Sequence, residues 1–173
     1  MPKLKHHDDL GTARFVTFSC HRRLKLLIDA DDMLIVIDEL YAARQKHGIA
    51  ILAHVIMPSH VHLVIHPPIT IHLGRVIGEI KSRSARRILS RWRWNGRAVI
   101  RVDRGGQKRT VFWEQRCYDH NCRTNADVRE KIVYCHNNPV RAGLVDDPGG
   151  WQWSSYSSYL DEGGPIDIDA MEL

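Results

Sequence analysis

The chain has 173 residues, 43% hydrophobic and 26% charged, a composition that suits one globular domain and excludes wholesale disorder. Its apolar stretches, such as 49–57, are interrupted and fall well short of the ~20 residues of a membrane span. The opening Met1-Pro2-Lys3-Leu4-Lys5-His6-His7-Asp8-Asp9 has no apolar run of the secretory type. The four cysteines are therefore expected to be reduced, in a cytoplasmic setting.

The net charge is +5, and it is unevenly spread. Between Lys81 and Arg109 stand eleven basic residues against one acid, Asp103, so this segment is +10 and the remainder −5. Nine of the eleven are arginines, whose planar fork suits phosphate oxygens. Lys81, Arg83, Arg86, Arg87, Arg91 and Arg93 are candidates for a nucleic-acid backbone, with Trp92 and Trp94 as stacking partners for unpaired bases. The alternative is a solvated basic face with the tryptophans in the core.

In chain order, 13–20 is rich in β-formers and reads as a strand. Asp31 and Asp32 can cap a helix carrying Met33, Ile37, Leu40 and Tyr41 at helical spacing and ending at Gly48. Residues 49–57 read as a second strand, Pro58-Ser59 as a turn and 60–66 as a third strand. A helix is expected from about His72 to Trp92, with Ile77, Ile80, Ile88 and Trp92 on one side. A basic loop or hairpin follows, then a short strand at 111–113. Thr124-Asn125-Ala126-Asp127 resembles a capping box, opening a helix to about Asn137 that Pro139 stops. The domain is expected over 1–162, with an acidic tail at 163–173 that frays. This order predicts an α+β fold, an antiparallel sheet with helices on one face and the other face left for a site.

His60 and His62 lie two apart in the third strand, so both side chains leave the same face with Cα atoms about 6.6–6.8 Å apart. Val61, Leu63 and Ile65 form the opposite, apolar face. Two imidazoles in this register can share a divalent ion, although each also reads as a structural histidine. In the last helix, Val128, Ile132 and Cys135 fall within about 60° of one another, and Tyr134 points roughly 100–120° away. Asn138, one turn on, shares the face of Tyr134. Tyr118 is a rival phenol, expected in the loop before this helix.

Met57-Pro58-Ser59-His60-Val61-His62-Leu63-Val64 resembles the His-hydrophobic-His strand of single-tyrosine transposases of the insertion-sequence-200 type. Cys117-Tyr118-Asp119-His120, Tyr134-Cys135-His136-Asn137-Asn138-Pro139 with Val140-Arg141-Ala142-Gly143-Leu144-Val145, and Trp151-Gln152-Trp153-Ser154-Ser155-Tyr156 resemble its REP-associated branch. The resemblance spans about 13–159 and implies a ferredoxin-like α+β sheet. It implies His60 and His62 as metal ligands, with Asn138 at the place of a polar third ligand. Tyr134 then matches the nucleophile that attacks a single-stranded DNA phosphodiester beside a hairpin, such as a repeated extragenic palindrome. The expected metal is Mg²⁺ or Mn²⁺, which suits mixed N/O ligation at a phosphate. The implied activity is single-strand cleavage and strand transfer through a 5′-phosphotyrosine, by a monomer or a homodimer, with no membrane partner.

Two other functions fit the same residues. One is a non-catalytic DNA- or RNA-binding module using the basic face. The other is a nuclease that activates water and leaves no protein-linked product. Cys117, His120, Cys122 and Cys135 suggest a zinc cluster, but their spacing fits no standard finger. Trp151 and Trp153 are expected to dock the C-terminal segment onto the domain.

Overall fold

The computed structural model describes residues 11–160, 162–164, 166, 168 and 169. The N-terminal stretch at 1–9, read above for its lack of an apolar run, lies outside the described residues, as does part of the expected tail. The elements are β1 (Arg14–Cys20), α1 (Ala30–His47), β2 (Ala50–Met57), β3 (His60–His66), α2 (Leu73–Trp94), β4 (Arg101–Arg104), β5 (Gln107–Thr110), β6 (Trp113–Asn121) and α3 (Asn125–Arg141). Four strands form one sheet in the order β2-β3-β1-β6, each neighbouring pair antiparallel. Strands β4 and β5 form a separate two-stranded ribbon. With the ribbon set aside, the path to β6 is βαββαβ, the ferredoxin-like order.

The helix ends follow local chemistry. Asp29 caps α1, its carboxylate accepting the Asp31 N–H at 3.0 Å, and Gly48 closes it with φ of 62°. Asp31 and Asp32 therefore lie inside the first turn rather than at the cap. Thr124 and Asp127 form the capping box of α3 as expected. That helix runs through Pro139 to Arg141. Proline in the last turn forfeits only the one hydrogen bond its N–H would have made back along the helix. Asn138 thus remains helical, one turn beyond Tyr134.

The sheet has two unequal covers. Val16, Phe18, Val61, Leu63 and Ile65 face α1 and α2, packing on Val36, Leu40, Val76, Ile77, Ile80 and Ile88. Phe15, Val55 and Val64 face the other way and meet Val128, Ile132 and Cys135 of α3. Helices α1 and α2 thus share one face, while α3 takes part of the other because its own apolar stripe needs a cover. Much of the histidine side is left open.

The outer edge of β2 is closed by the C-terminal segment. Ile56 N–H donates to the Trp153 carbonyl and Ser155 N–H to that of His54, while Trp151 Nε1 donates to the Ile56 carbonyl. The docking expected of Trp151 and Trp153 is thus present. Beyond Gly163, Ile166 and Asp169 are anchored. Ile166 is 3% exposed, and the Asp169 carboxylate accepts from Ile51 N–H and from Arg44. One apolar side chain and one carboxylate hold these positions where an acidic composition predicts fraying. Among the described residues, no helix is long and apolar enough to cross a membrane.

Candidate active site

His60 and His62 project from β3 toward the α3 side, their ring centroids 4.6 Å apart. The His62 ring is 5.4 Å from that of Tyr134. Phe15 stacks on His62 at 5.3 Å and meets Tyr134 edge-on at 5.6 Å. Arg141 brings its guanidinium carbon to 5.4 Å from the Tyr134 ring centroid. The Asn138 side chain lies beside His60, near enough to oppose the lowering of its pKa. Strand β3 and one turn of α3 therefore bring His60, His62, Tyr134 and Asn138 together, four positions spread over 79 residues of sequence.

The two imidazoles are held in the neutral state. Burial, aided by the charges of His60 and Arg23, pushes His62 down to about 3. His60 is lowered chiefly by burial, then by Arg23, with Asn138 opposing. Thr17 Oγ1 lies 2.7 Å from His62 Nδ1, and Ser59 Oγ lies 3.0 Å from His60 Nδ1. His62 Nε2 is buried with no hydrogen-bond partner among the described residues. An orphaned, neutral imidazole nitrogen beside a second imidazole and an amide is a donor set that fits a divalent cation. Among the described residues no group of three or more His, Cys, Asp or Glu could hold a metal ion. A complete set at this site would therefore draw on Asn138 and on oxygens from a substrate. The alternative cluster of cysteines does not converge. Cys122 and Cys135 are buried in the core under α3, Cys117 packs toward the opposite face, and His120 is exposed.

The basic candidates on α2 lie on the sheet face opposite the histidines, and several have partners there. Arg83 and Arg87 pair with Glu39, which is 3% exposed, and Arg87 also pairs with Asp38. Arg91 bridges Asp29, Asp31 and Asp32. These contacts stitch α2 to α1. Lys81 is half-buried and donates to the Gln115 carbonyl at 3.1 Å. Arg86 and Arg93 are exposed.

Trp92 corrects the stacking expectation. Its ring is 2% exposed, its Nε1 donates to Asp32 at 2.7 Å, and Arg97 lies over it at 3.8 Å. Its helical register with Ile77, Ile80 and Ile88 takes it into the core. Trp94, 91% exposed, keeps a free indole.

Sequence reasoning missed the cations nearest the histidines. Immediately after β1, Arg22 and Arg23 adopt φ of 52° and 54°, left-handed values that cost non-glycine residues. The turn is held by Glu114, which accepts Arg22 N–H at 2.5 Å and lies 3.3 Å from His21 Nδ1. It swings both arginines to the histidine side, where they line an open cleft of about 700 Å³ with Arg116, Tyr118, Thr17 and Ser19. The legible signal was an adjacent Arg-Arg pair closing a strand. Tyr118 lies on β6, opposite Thr17 in register, and not in a loop.

The profile of the family described as "Transposase IS200 like" matches residues 12–126, about two thirds of the chain. The chain belongs to the IS200-like transposase family. The matched residues include His60 and His62 and end before Tyr134 and Asn138. A Haemophilus influenzae protein with the provisional description of a REP-associated tyrosine transposase is 24% identical over 102 residues, which is 58% of this chain. The chain spans about half, 55%, of that relative's length. Among solved structures, a REP-associated tyrosine transposase bound to a REP hairpin superposes with a TM-score of 0.71 at 20% identity. That likeness covers 99% of this chain and 93% of the other, and it shows that the two share a fold.

Proposed function

We propose that this transposase-family protein cleaves and rejoins single-stranded DNA beside a hairpin, with Tyr134 as the nucleophile. The observation that carries the reading is the meeting of Tyr134 and Asn138 on α3 with His60 and His62 on β3. A water-activating nuclease needs no phenol there, and a binding module needs no neutral histidine pair with an orphaned nitrogen. The hairpin in the solved relative supports the substrate class.

A divalent cation, Mg²⁺ or Mn²⁺, would be held by His60, His62 and Asn138, and would polarise the scissile phosphate and offset charge on the leaving oxygen. The chain's own residues do the rest. Thr17 and Ser59 fix the two imidazoles through their Nδ1 atoms. Phe15 and Arg141 hold the Tyr134 ring from two sides. Tyr134 Oη releases its proton to solvent and attacks phosphorus, the P–O3′ bond breaks, and the freed 3′-oxygen takes up a proton from solvent. The resulting 5′-phosphotyrosine keeps the energy of the broken bond, so another 3′-hydroxyl reverses the step and joins strands. Arg22, Arg23 and Arg116 in the cleft, and the exposed Arg86 and Arg93 of α2, supply cations for the phosphate backbone.

The test is covalent capture. A 3′-labelled oligonucleotide carrying a hairpin and a single-stranded flank should give a denaturation-resistant adduct with wild-type protein and Mn²⁺. The adduct should be lost with Tyr134→Phe, with His60→Ala/His62→Ala, and with chelator. An adduct undiminished in Tyr134→Phe would remove Tyr134 as the nucleophile. Salt-sensitive retention with no adduct under any metal would favour the non-catalytic module.

A further inference from the structure

We infer that Tyr118 and His120, side by side on β6, form a stacking site for one unpaired base of the DNA flank next to the cleavage site. The inference rests on the reading of this protein as a single-strand DNA enzyme. The two rings are parallel to within 2°, with centroids 6.5 Å apart. That spacing is the two-residue repeat of a strand and is close to two base-stacking intervals of about 3.4 Å. Tyr118 is 51% exposed and His120 is exposed. Neither belongs to the cores that bind the helices to the sheet. Aromatic rings that pack for stability are normally covered, whereas this pair stands at the edge strand with its apolar surface in water.

Position ties the pair to the candidate site. Phe15 meets Tyr118 edge-on with centroids 6.3 Å apart and also stacks on His62. One ring therefore separates the exposed pair from a candidate metal ligand. Tyr118 also lines the cleft formed with Arg22, Arg23 and Arg116. A strand of nucleic acid whose phosphates run along those guanidiniums arrives with its bases at β6. Ring faces accept any of the four bases, so the site would hold and orient the strand without reading its sequence. Tyr118 and His120 are thus positioning residues rather than participants in the chemistry.

The experiment uses full-length protein carrying Tyr134→Phe, so that no turnover occurs, and hairpin oligonucleotides with 2-aminopurine at successive flank positions. Binding should quench the fluorophore at one position. Tyr118→Ala and His120→Ala should each remove that quench and weaken binding about tenfold. Tyr118→Phe and Tyr118→Trp should restore it. Circular dichroism melts identify any variant that unfolds, and the exposed His120→Ala serves if Tyr118→Ala does. Unchanged quench and affinity in folded Tyr118→Ala and His120→Ala would overturn the stacking site. Quench that depends on both rings, in a wild-type protein that never forms a covalent adduct, would keep the stacking site and sink the strand-transfer reading.

Discussion

Thr17 Oγ1 and His62 Nδ1 meet at 2.7 Å across the β1–β3 pair, where the two residues are direct register partners. In the tautomer that ligates through Nε2, the His62 Nδ1–H donates to the threonine hydroxyl, and the ring is fixed with its other nitrogen free. Thr17→Val keeps the shape and removes the acceptor. Mn²⁺ affinity, read by calorimetry in the presence of the oligonucleotide, should fall about 10–100-fold, with the fold's melting temperature little changed.

The α1–α2 seam sets a stability prediction. Asp32 is 0% exposed and receives Trp92 Nε1 and Arg91 Nη1, with Arg97 at 3.4 Å. Burial raises its pKa, against the pull of Trp92 and Arg91. Asp32→Ala leaves an indole N–H and two guanidiniums without their shared acceptor, and should cost about 3 kcal/mol. Urea unfolding checks it. A change within 0.5 kcal/mol would mean that the seam does not depend on Asp32.

Acid sensitivity follows from buried histidines away from the candidate site. Burial, with a contribution from His136, pushes His54 down to about 3, and burial pushes His136 down to about 4. Among the described residues neither ring nitrogen of His54 has a hydrogen-bond partner. The sign is fixed by which state takes the proton. In the unfolded chain each histidine protonates near pH ~6.5, while the folded protein keeps both neutral until much lower pH. Stability is therefore unaffected above about pH 6.5 and is lost as pH falls from there toward 4, by up to about 1.4 kcal/mol per pH unit for each histidine. His54→Leu should remove one histidine's share of that slope in urea titrations between pH 6 and 4.

Salt dependence separates the two sets of arginines. Arg22→Gln/Arg23→Gln should reduce the slope of log affinity against log salt by about 1.4 for a single-stranded flank, at ~0.7 per phosphate contact. Arg83→Gln/Arg87→Gln should leave that slope unchanged and lower the urea midpoint instead, because those guanidiniums are engaged with the buried Glu39. Filter binding across 50–200 mM salt reads the first effect, and unfolding reads the second.

The strand with the histidines was legible because β3 alternates cleanly, and the α3 stripe because Val128, Ile132 and Cys135 recur at helical spacing. Strand β6 was not, because an edge strand carrying Gln115, Arg116, Tyr118 and His120 shows no apolar face long enough to announce itself. Its inward Asp119 is satisfied by Arg14, 105 residues away in sequence. The engagement of the basic run was hidden for a related reason. Charge counted along the chain does not reveal partners such as Glu39 and Asp29, which lie 44 and 62 residues before Arg83 and Arg91. Trp92 was placed correctly by its periodicity with Ile88 and wrongly by its basic neighbours, and burial decided between them. Tyr134 and Asn138 were found as one face of a helix, but their nearness to His60 and His62 depends on which side of the sheet that helix takes, and no local pattern fixes that choice.

The last described residues seal β2 with hydrogen bonds from their own chain, through Trp153, Ser155 and Asp169. A second copy has no ladder to join there. Among the described residues, β6 is the only rim of the four-stranded sheet that another β-strand could extend. A strand added to this four-stranded sheet would therefore lie next to Tyr118, Arg116 and the cleft, on the rim from which the histidine side is open.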